Sequence, residues 1–145
     1  MAFYDSLAGK EKLKGFSLYL LRNADNRAKG LGFALAGNFY PDFLFWLVDD
    51  KTGKQWLSFI DPKGIRNLNF SDPKFGLYKE IKQIKKQLGD EMISLNSFIL
   101  SVTTFSELLK VLGTTTKSDL EDRNVLFMDE GGPAYLGKLL AKAVV

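Results

Sequence analysis

Residues 41–63, PDFLFWLVDDKTGKQWLSFIDPK, contain two apolar segments separated by a short polar one. We expect residues 43–48 to form a strand that is apolar on both faces, and residues 55–60 to run back beside it. The intervening DDKTG has the composition of a turn, and Gly53 suits a left-handed position in a bulge. The segment therefore predicts an antiparallel hairpin.

Strand and helix patterns alternate in the rest of the chain. Further strands are expected at residues 16–21, 92–102 and 125–128. The best helix pattern follows Ser71-Asp72-Pro73, which supplies an N-cap and a first-turn proline, and it ends at Gly89. Its apolar positions recur at helical spacing: Phe75, Tyr78, Ile81, Ile84 and Leu88.

Two shorter helices are expected in the second half. Thr104 and Glu107 have the spacing of a capping box for a short helix that ends at Gly113. A final helix follows Gly131-Gly132-Pro133, with an apolar stripe of Leu136, Leu139, Leu140 and Val144. Helices that alternate with strands after an antiparallel hairpin indicate an α/β (α+β) fold, with a mixed central sheet flanked by helices. The length suits a single domain over residues 1–145.

The composition restricts the chemistry that the chain can perform. The 145 residues include no cysteine and no histidine, which excludes disulfides, thiolate metal sites, cysteine nucleophiles and histidine bases. Carboxylates, lysines and hydroxyls remain, and oxygen ligands of this kind suit Mg²⁺ or Mn²⁺. The net charge of +3 is compatible with nucleic acid but too small to indicate it. The chain contains no long apolar run and no signal-peptide pattern, so we expect a cytoplasmic protein.

Two aspartates flank the predicted hairpin. Asp42 begins its first arm and Asp61 ends its second, so the fold-back brings them to the same end. With a two-residue turn of Lys51 and Thr52, Asp42 lies opposite Asp61, with side chains about 5 Å apart on one face. A three-residue turn that closes on Gly53 would instead place Asp42 opposite the next residue, and a bulge would be needed.

Such a pair of carboxylates is able to share a divalent cation, with the Pro62 carbonyl as a further ligand. Lys63 lies two residues beyond Asp61 and is expected on the same face, where its ammonium would orient a water and offset negative charge. The acid-x-Lys pattern alone is weak, because a comparable arrangement arises by chance in roughly one chain in twenty. It also occurs at three positions with ordinary structural explanations: Asp49-x-Lys51, Asp72-Pro73-Lys74 and Glu80-x-Lys82.

Several segments, in order, are similar to a known family: YLLRN at 19–23, GF at 32–33, NFYPDF at 38–43, FIDPKG at 59–64, LNSFI at 95–99 and VLF at 125–127. They resemble the C-terminal endonuclease domain of type III restriction and related helicase-linked subunits, in the PD-(D/E)xK nuclease superfamily. The resemblance implies a restriction-endonuclease-like fold and Mg²⁺- or Mn²⁺-dependent DNA cleavage. It assigns metal binding to Asp42 and Asp61, and the water-orienting role to Lys63.

The resemblance also implies partners and a further acid. DNA is the expected substrate, and a helicase or ATPase domain and a specificity subunit are the expected companions. Members of the superfamily often add an acidic residue from a helix before the first strand, and Asp5 or Glu11 would fill that place. The alternative is a catalytically inactive DNA-binding or subunit-docking module of the same fold. A nuclease that acts on RNA or branched DNA is also open.

Basic residues outside the motif are candidates for nucleic-acid contacts. They are Arg22, Arg27 and Lys29 after the first strand, and Lys79 and Lys86 on the long helix. Each of these groups is also explained by ordinary structure, as turn chemistry in the first case and as a solvated helix face in the second. Lys82 shares that helix face and is a possible additional site residue, if the helix directs it inward.

Overall fold

The computed structural model describes residues 15–23, 41–63, 73–128 and 134–144. The strands are β1 Phe16–Arg22, β2 Phe43–Asp49, β3 Gln55–Lys63, β4 Ile93–Ser101 and β5 Val125–Phe127. The helices in these ranges are α1 Leu77–Leu88, α2 Phe105–Leu108, α3 Lys117–Asp122 and α4 Ala134–Ala143, with a 3₁₀ turn at Pro73–Gly76 before α1. None of these helices is long and apolar enough to cross a membrane.

The five strands form one sheet in which their spatial order follows the chain. β1, β2 and β3 are antiparallel neighbours, whereas β3, β4 and β5 are parallel. The parallel step from β3 to β4 requires a crossover, and the connecting segment contains α1. The predicted class, a mixed sheet flanked by helices, is therefore confirmed.

The hairpin between β2 and β3 has the register expected of a two-residue turn, because Phe43 pairs with Ile60 and Val48 with Gln55. The turn itself is different: the Asp49 carbonyl accepts the Gly53 N–H and the Asp49 N–H donates to the Lys54 carbonyl, both at 2.8 Å. Gly53 and Lys54 thus lie together opposite Asp49, which is a bulge. The Asp49 carboxylate holds the turn by accepting the backbone N–H of Lys51 at 2.9 Å. This hydrogen bond is the largest cause of a pKa for Asp49 below its ordinary value. Gly53 has the expected left-handed backbone, with φ of +73°.

Helices cover both faces of the sheet. On one face, α4 packs its predicted apolar stripe against β2, β3 and β4, and the main residues of this core are Phe43, Phe45, Leu47, Trp56, Ile60, Phe98, Leu100, Leu136 and Leu139. On the other face, Ile81 of α1 packs with Phe59 and Leu95. A third cluster on that face joins the 3₁₀ turn, α2 and α3 to β4 and β5, through Phe75, Ile99, Leu108, Leu120, Val125 and Phe127.

The structure departs from the sequence predictions at three places. β3 continues past Ile60 to Lys63, and α3 was not predicted although Thr116 and Asp119 form a capping box for it. Leu88 is 56% exposed and Val144 is 40% exposed, so the apolar stripes of α1 and α4 end one position earlier than expected. Leu88 is the last residue of α1, and Val144 follows the last residue of α4.

Candidate metal centre

Asp42 and Asp61 lie immediately beyond the last pair of the β2–β3 ladder. That pair is Phe43 with Ile60, and the two aspartates are opposed if the same register continues by one residue. Residues opposed in this way in an antiparallel pair have Cβ atoms roughly 5 Å apart. Asp61 is 2% exposed and Asp42 is exposed, so the pair combines a buried carboxylate with an accessible one.

The two aspartates face the side of the sheet that α1 covers. Phe43 and Ile60 belong to the α4 core. Successive residues of a strand point to opposite faces, which puts the adjacent Asp42 and Asp61 on the other side. Phe59, two residues before Asp61, packs against Ile81 of α1 and supports this assignment.

Asn23 fixes the backbone at Asp42. The Asn23 backbone N–H donates to the Asp42 carbonyl at 2.8 Å, and its side-chain Nδ2 donates to the Pro41 carbonyl at 2.9 Å. Pro41 is buried, so this side-chain bond satisfies a carbonyl with little access to water. The sequence interpretation gave Asn23 no positioning role. Its positioning role follows from the β1–β2 register, which the sequence alone does not give.

Pro62 and Lys63 lie within β3. They pair with Leu100 and Ser101 of β4. The β2–β3 ladder ends at Ile60, so the described end of β3 is paired on its β4 side alone. A proline that lacks a backbone donor is tolerated where the neighbouring ladder has ended. Lys63 occupies the expected position two residues beyond Asp61, and the role of its ammonium stays a prediction.

The remaining candidate residues outside α1 precede β2 in the chain. Glu11, the alternative Asp5, Arg27 and Lys29 fall outside the described residues. Arg22 is exposed at the end of β1, but it pairs with Phe43 and therefore belongs to the α4 face, opposite to the face of Asp42.

The lysines of α1 are spread along its length. Phe75, just before α1, packs with Ile99, whereas Ile81 packs with Leu95, so α1 runs antiparallel to β4. Lys79 is thus near the end of the sheet that carries Asp61, and Lys86 is near the opposite end. Both are exposed, and the Lys79 ammonium lies 5.6 Å from the ring centroid of Tyr78.

Lys82 does not point inward, because its side chain is exposed. The half-buried charged residue beside it is Glu80, whose Oε2 is buried and has no hydrogen-bond partner among the described residues. The sequence interpretation explained Glu80 as one of several acid-x-Lys matches without a catalytic role. Its position next to Ile81, at the margin of the apolar stripe, was the sequence feature that could have indicated its partial burial.

The acidic groups of the described ranges form no set of three or more close enough to hold a metal ion. The candidate centre within those ranges is therefore the Asp42 and Asp61 pair, with the Pro62 carbonyl as the additional predicted oxygen. Comparison with protein-family models, with curated proteins and with solved structures gives no match for the chain. The nuclease resemblance thus rests on the sequence segments that carry it.

Proposed function

We propose that this chain is a Mg²⁺-dependent DNA endonuclease domain in which Asp42 and Asp61 hold the metal. The observation that carries the proposal is the register of β2 and β3, which would set the two aspartates opposite each other if it continues one residue past Phe43 and Ile60. The same register was one of two alternatives that the sequence left open. The restriction-endonuclease-like form of the mixed sheet is part of the proposal.

The donor set suits magnesium. Mg²⁺ prefers oxygen ligands, keeps several of its waters, and is commonly held by one or two carboxylates. Asp61 is almost completely buried, and a buried carboxylate is stabilised by positive charge close to it. The exposed Asp42 leaves the other side of the pair open to water and to substrate. Mn²⁺ prefers the same ligands and is the practical substitute in binding experiments.

The residues of the chain have separate roles in this proposal. Asp42 and Asp61 position the cation, and Lys63 orients the attacking water and offsets the negative charge that develops on the phosphate. The bound ion supplies charge neutralisation at the phosphoryl group and a lower pKa for the attacking water. Lys79, at the same end of the sheet, contacts a DNA phosphate. A type III restriction or helicase-associated system, with an ATPase motor and a specificity subunit, is the proposed context.

The test combines DNA cleavage with metal binding. Purified protein is incubated with supercoiled plasmid and Mg²⁺ or Mn²⁺, and Mn²⁺ binding is measured by isothermal titration calorimetry. We expect Asp61→Asn and Asp42→Asn to weaken Mn²⁺ binding by at least about 10-fold and to abolish cleavage. Lys63→Met should retain Mn²⁺ binding but cleave about 100-fold more slowly. Asp122→Asn, which removes an exposed carboxylate of α3, is the matched control and should behave as wild type.

The outcomes separate the proposal from its alternatives. Cleavage that survives Asp61→Asn would refute the catalytic assignment. A folded wild-type protein that binds duplex DNA, but neither binds Mn²⁺ nor cleaves plasmid, would support an inactive DNA-binding module. Parallel assays with single-stranded RNA and with a branched DNA junction identify a different nucleic-acid substrate for the same site.

A further inference from the structure

A cavity lies at the end of the sheet away from Asp61. It has a volume of about 480 Å³ and lies between α1 and β4. We call it the β4 groove, and its lining is Lys82, Lys85, Lys86, Gly89, Asp90, Glu91, Ser94, Leu95 and Asn96. Asp61 pairs with Ile99, four residues further along β4 than Leu95, which is a separation of about 13 Å along the strand. The groove is therefore distinct from the aspartate pair.

In the described part of the chain, no strand pairs with the outer edge of β4 beside the groove, where Leu95 is 8% exposed. β5 pairs with β4 only at Ile99–Ser101. The N–H and C=O of one strand residue point to the same side, and this side alternates along the strand. The Ile99 N–H donates to Asn124 on the β5 side, so the N–H and C=O of Leu95, an even number of residues away, point to that side too. Neither Leu95 group has a hydrogen-bond partner among the described residues.

At Ser97, the next residue that points to this edge, one of the two backbone groups has a hydrogen-bond partner. The Ser97 carbonyl accepts the side-chain Nδ2 of Asn124 at 3.1 Å, while the Ser97 N–H has no partner in the described ranges. On the other side of Leu95, the Ile93 N–H donates to the Asp90 carbonyl at 3.4 Å. A strand edge with unpaired donors and acceptors is a template for another extended chain.

The charges of the groove are divided between its two walls. Lys82, Lys85 and Lys86 line the α1 wall, and Lys85 Nζ is 3.1 Å from Ser94 Oγ. Asp90 and Glu91 lie together at the turn between α1 and β4, at one end of the groove. A ligand that follows the β4 edge would thus have a row of ammonium groups on one flank. Carboxylates directed toward α1 would meet complementary charge there.

We propose that the β4 groove binds an extended segment of another protein that carries acidic side chains, and that this segment adds a strand to the outer edge of β4. Strand addition of this kind takes affinity from main-chain hydrogen bonds and specificity from alternate side chains. The backbone N–H and C=O of Leu95 are a donor and an acceptor with which a peptide backbone could pair. A nucleic-acid strand would use the lysines alone, because its backbone carries no N–H donors to pair with the β4 edge. The proposal does not depend on the nuclease assignment.

The probe is a capped six-residue peptide of alternating valine and glutamate. Titrating it into ¹⁵N-labelled protein should shift the backbone amide signals of Leu95 and Ser97 and slow their hydrogen exchange. A peptide with the same sequence but N-methylated at alternate amides should bind at least about 10-fold more weakly, because it cannot complete the ladder. An alternating valine and lysine peptide tests the charge requirement and should not bind.

Single charge reversals give the matched protein variants. Lys82→Glu and Lys86→Glu should each weaken binding of the acidic peptide by roughly 3- to 10-fold. Lys110→Glu makes the same change in net charge at an exposed position outside the groove and should leave binding unchanged. All three lysines are exposed, so the variants should fold as wild type does.

Three results would overturn the proposal. One is an absence of Leu95 and Ser97 shifts at about 2 mM acidic peptide, well above the affinity expected of a specific site. Another is equal affinity for the lysine peptide. The third is a duplex oligonucleotide that shifts the Lys82 and Lys86 signals when the peptide shifts none. The variant Asp61→Asn should bind the peptide as wild type does, which separates this test from the metal experiment.

Discussion

The hydrogen bond from Asn23 to Pro41 offers a direct test of how the aspartate pair is positioned. Asn23→Ala removes the 2.9 Å bond from Nδ2 to the Pro41 carbonyl but keeps the backbone bond to Asp42. Because Pro41 is buried, its carbonyl loses a partner that water does not readily replace. The expected loss in the free energy of unfolding is about 1–3 kcal/mol. Chemical denaturation of the two proteins in urea measures it.

The same variant should weaken Mn²⁺ binding if Asn23 positions Asp42. Without the side-chain bond, the Pro41-Asp42 backbone is held less firmly, so the Asp42 carboxylate is less well positioned to bind the metal. We expect a loss of about 1 kcal/mol of Mn²⁺ binding free energy, which is about a 5-fold change in affinity. Titration calorimetry gives the dissociation constant for Mn²⁺. The measurement is made well below the unfolding midpoint, so that both proteins are fully folded during the titration.

Asn96→Ala is the matched control. The Asn96 Nδ2 also donates to a backbone carbonyl, that of Ala143, at 3.2 Å, but it does so on the α4 side of the sheet. This variant should lose stability to a similar extent and keep the wild-type affinity for Mn²⁺. If Asn23→Ala is as destabilised as Asn96→Ala yet binds Mn²⁺ as tightly as wild type, the positioning role is refuted and Asn23 serves stability alone.

Two further predictions concern stability. Ser58 is fully buried and its hydroxyl has no hydrogen-bond partner among the described residues, so Ser58→Ala should raise the free energy of unfolding by about 1 kcal/mol, and a lower value in urea denaturation would contradict this. The backbone N–H of Thr116 holds the pKa of Asp119 below its ordinary value of 3.8. The stabilisation is therefore present above the unfolded-state pKa and lost as the pH falls through the lowered value. The difference in melting temperature between wild type and Asp119→Asn, followed by circular dichroism from pH 7 into this acid range, should shrink, and a constant difference would argue against the cause.

The hairpin was predictable because two independent signals agree there. The apolar segments of β2 and β3 define the strands, and turn composition defines where the chain reverses. The remaining ambiguity was one residue of register, which depends on the conformation of the turn. The Asp49 carboxylate resolves it by accepting the N–H groups of Lys51 and Thr52. A side-chain contact of this kind is not specified by the hydrophobic pattern.

Other features depended on contacts between distant segments. The exposure of Lys82 and the burial of Glu80 follow from how α1 is rotated on the sheet, and both residues are equally polar in the sequence. The capping box at Thr116 and Asp119 was readable, but the six residues of α3 are too few to show a helical period. The unpaired edge of β4 in the described ranges follows from the short length of β5, which pairs at three positions.

The place of the aspartate pair follows from a change in the sheet at β3. This strand is the boundary between the antiparallel and parallel parts, so its carboxyl end lies beside the carboxyl end of β4 and the amino end of β2. β2 pairs only from Phe43 onward, whereas β3 continues to Lys63. Open sheets with parallel strands form ligand sites beyond the carboxyl ends of those strands. Asp61 occupies such an end, and the hairpin adds Asp42 from a strand of opposite direction. A one-residue slip of the hairpin would move one aspartate to the α4 face. The metal proposal therefore depends on the register of β2 and β3.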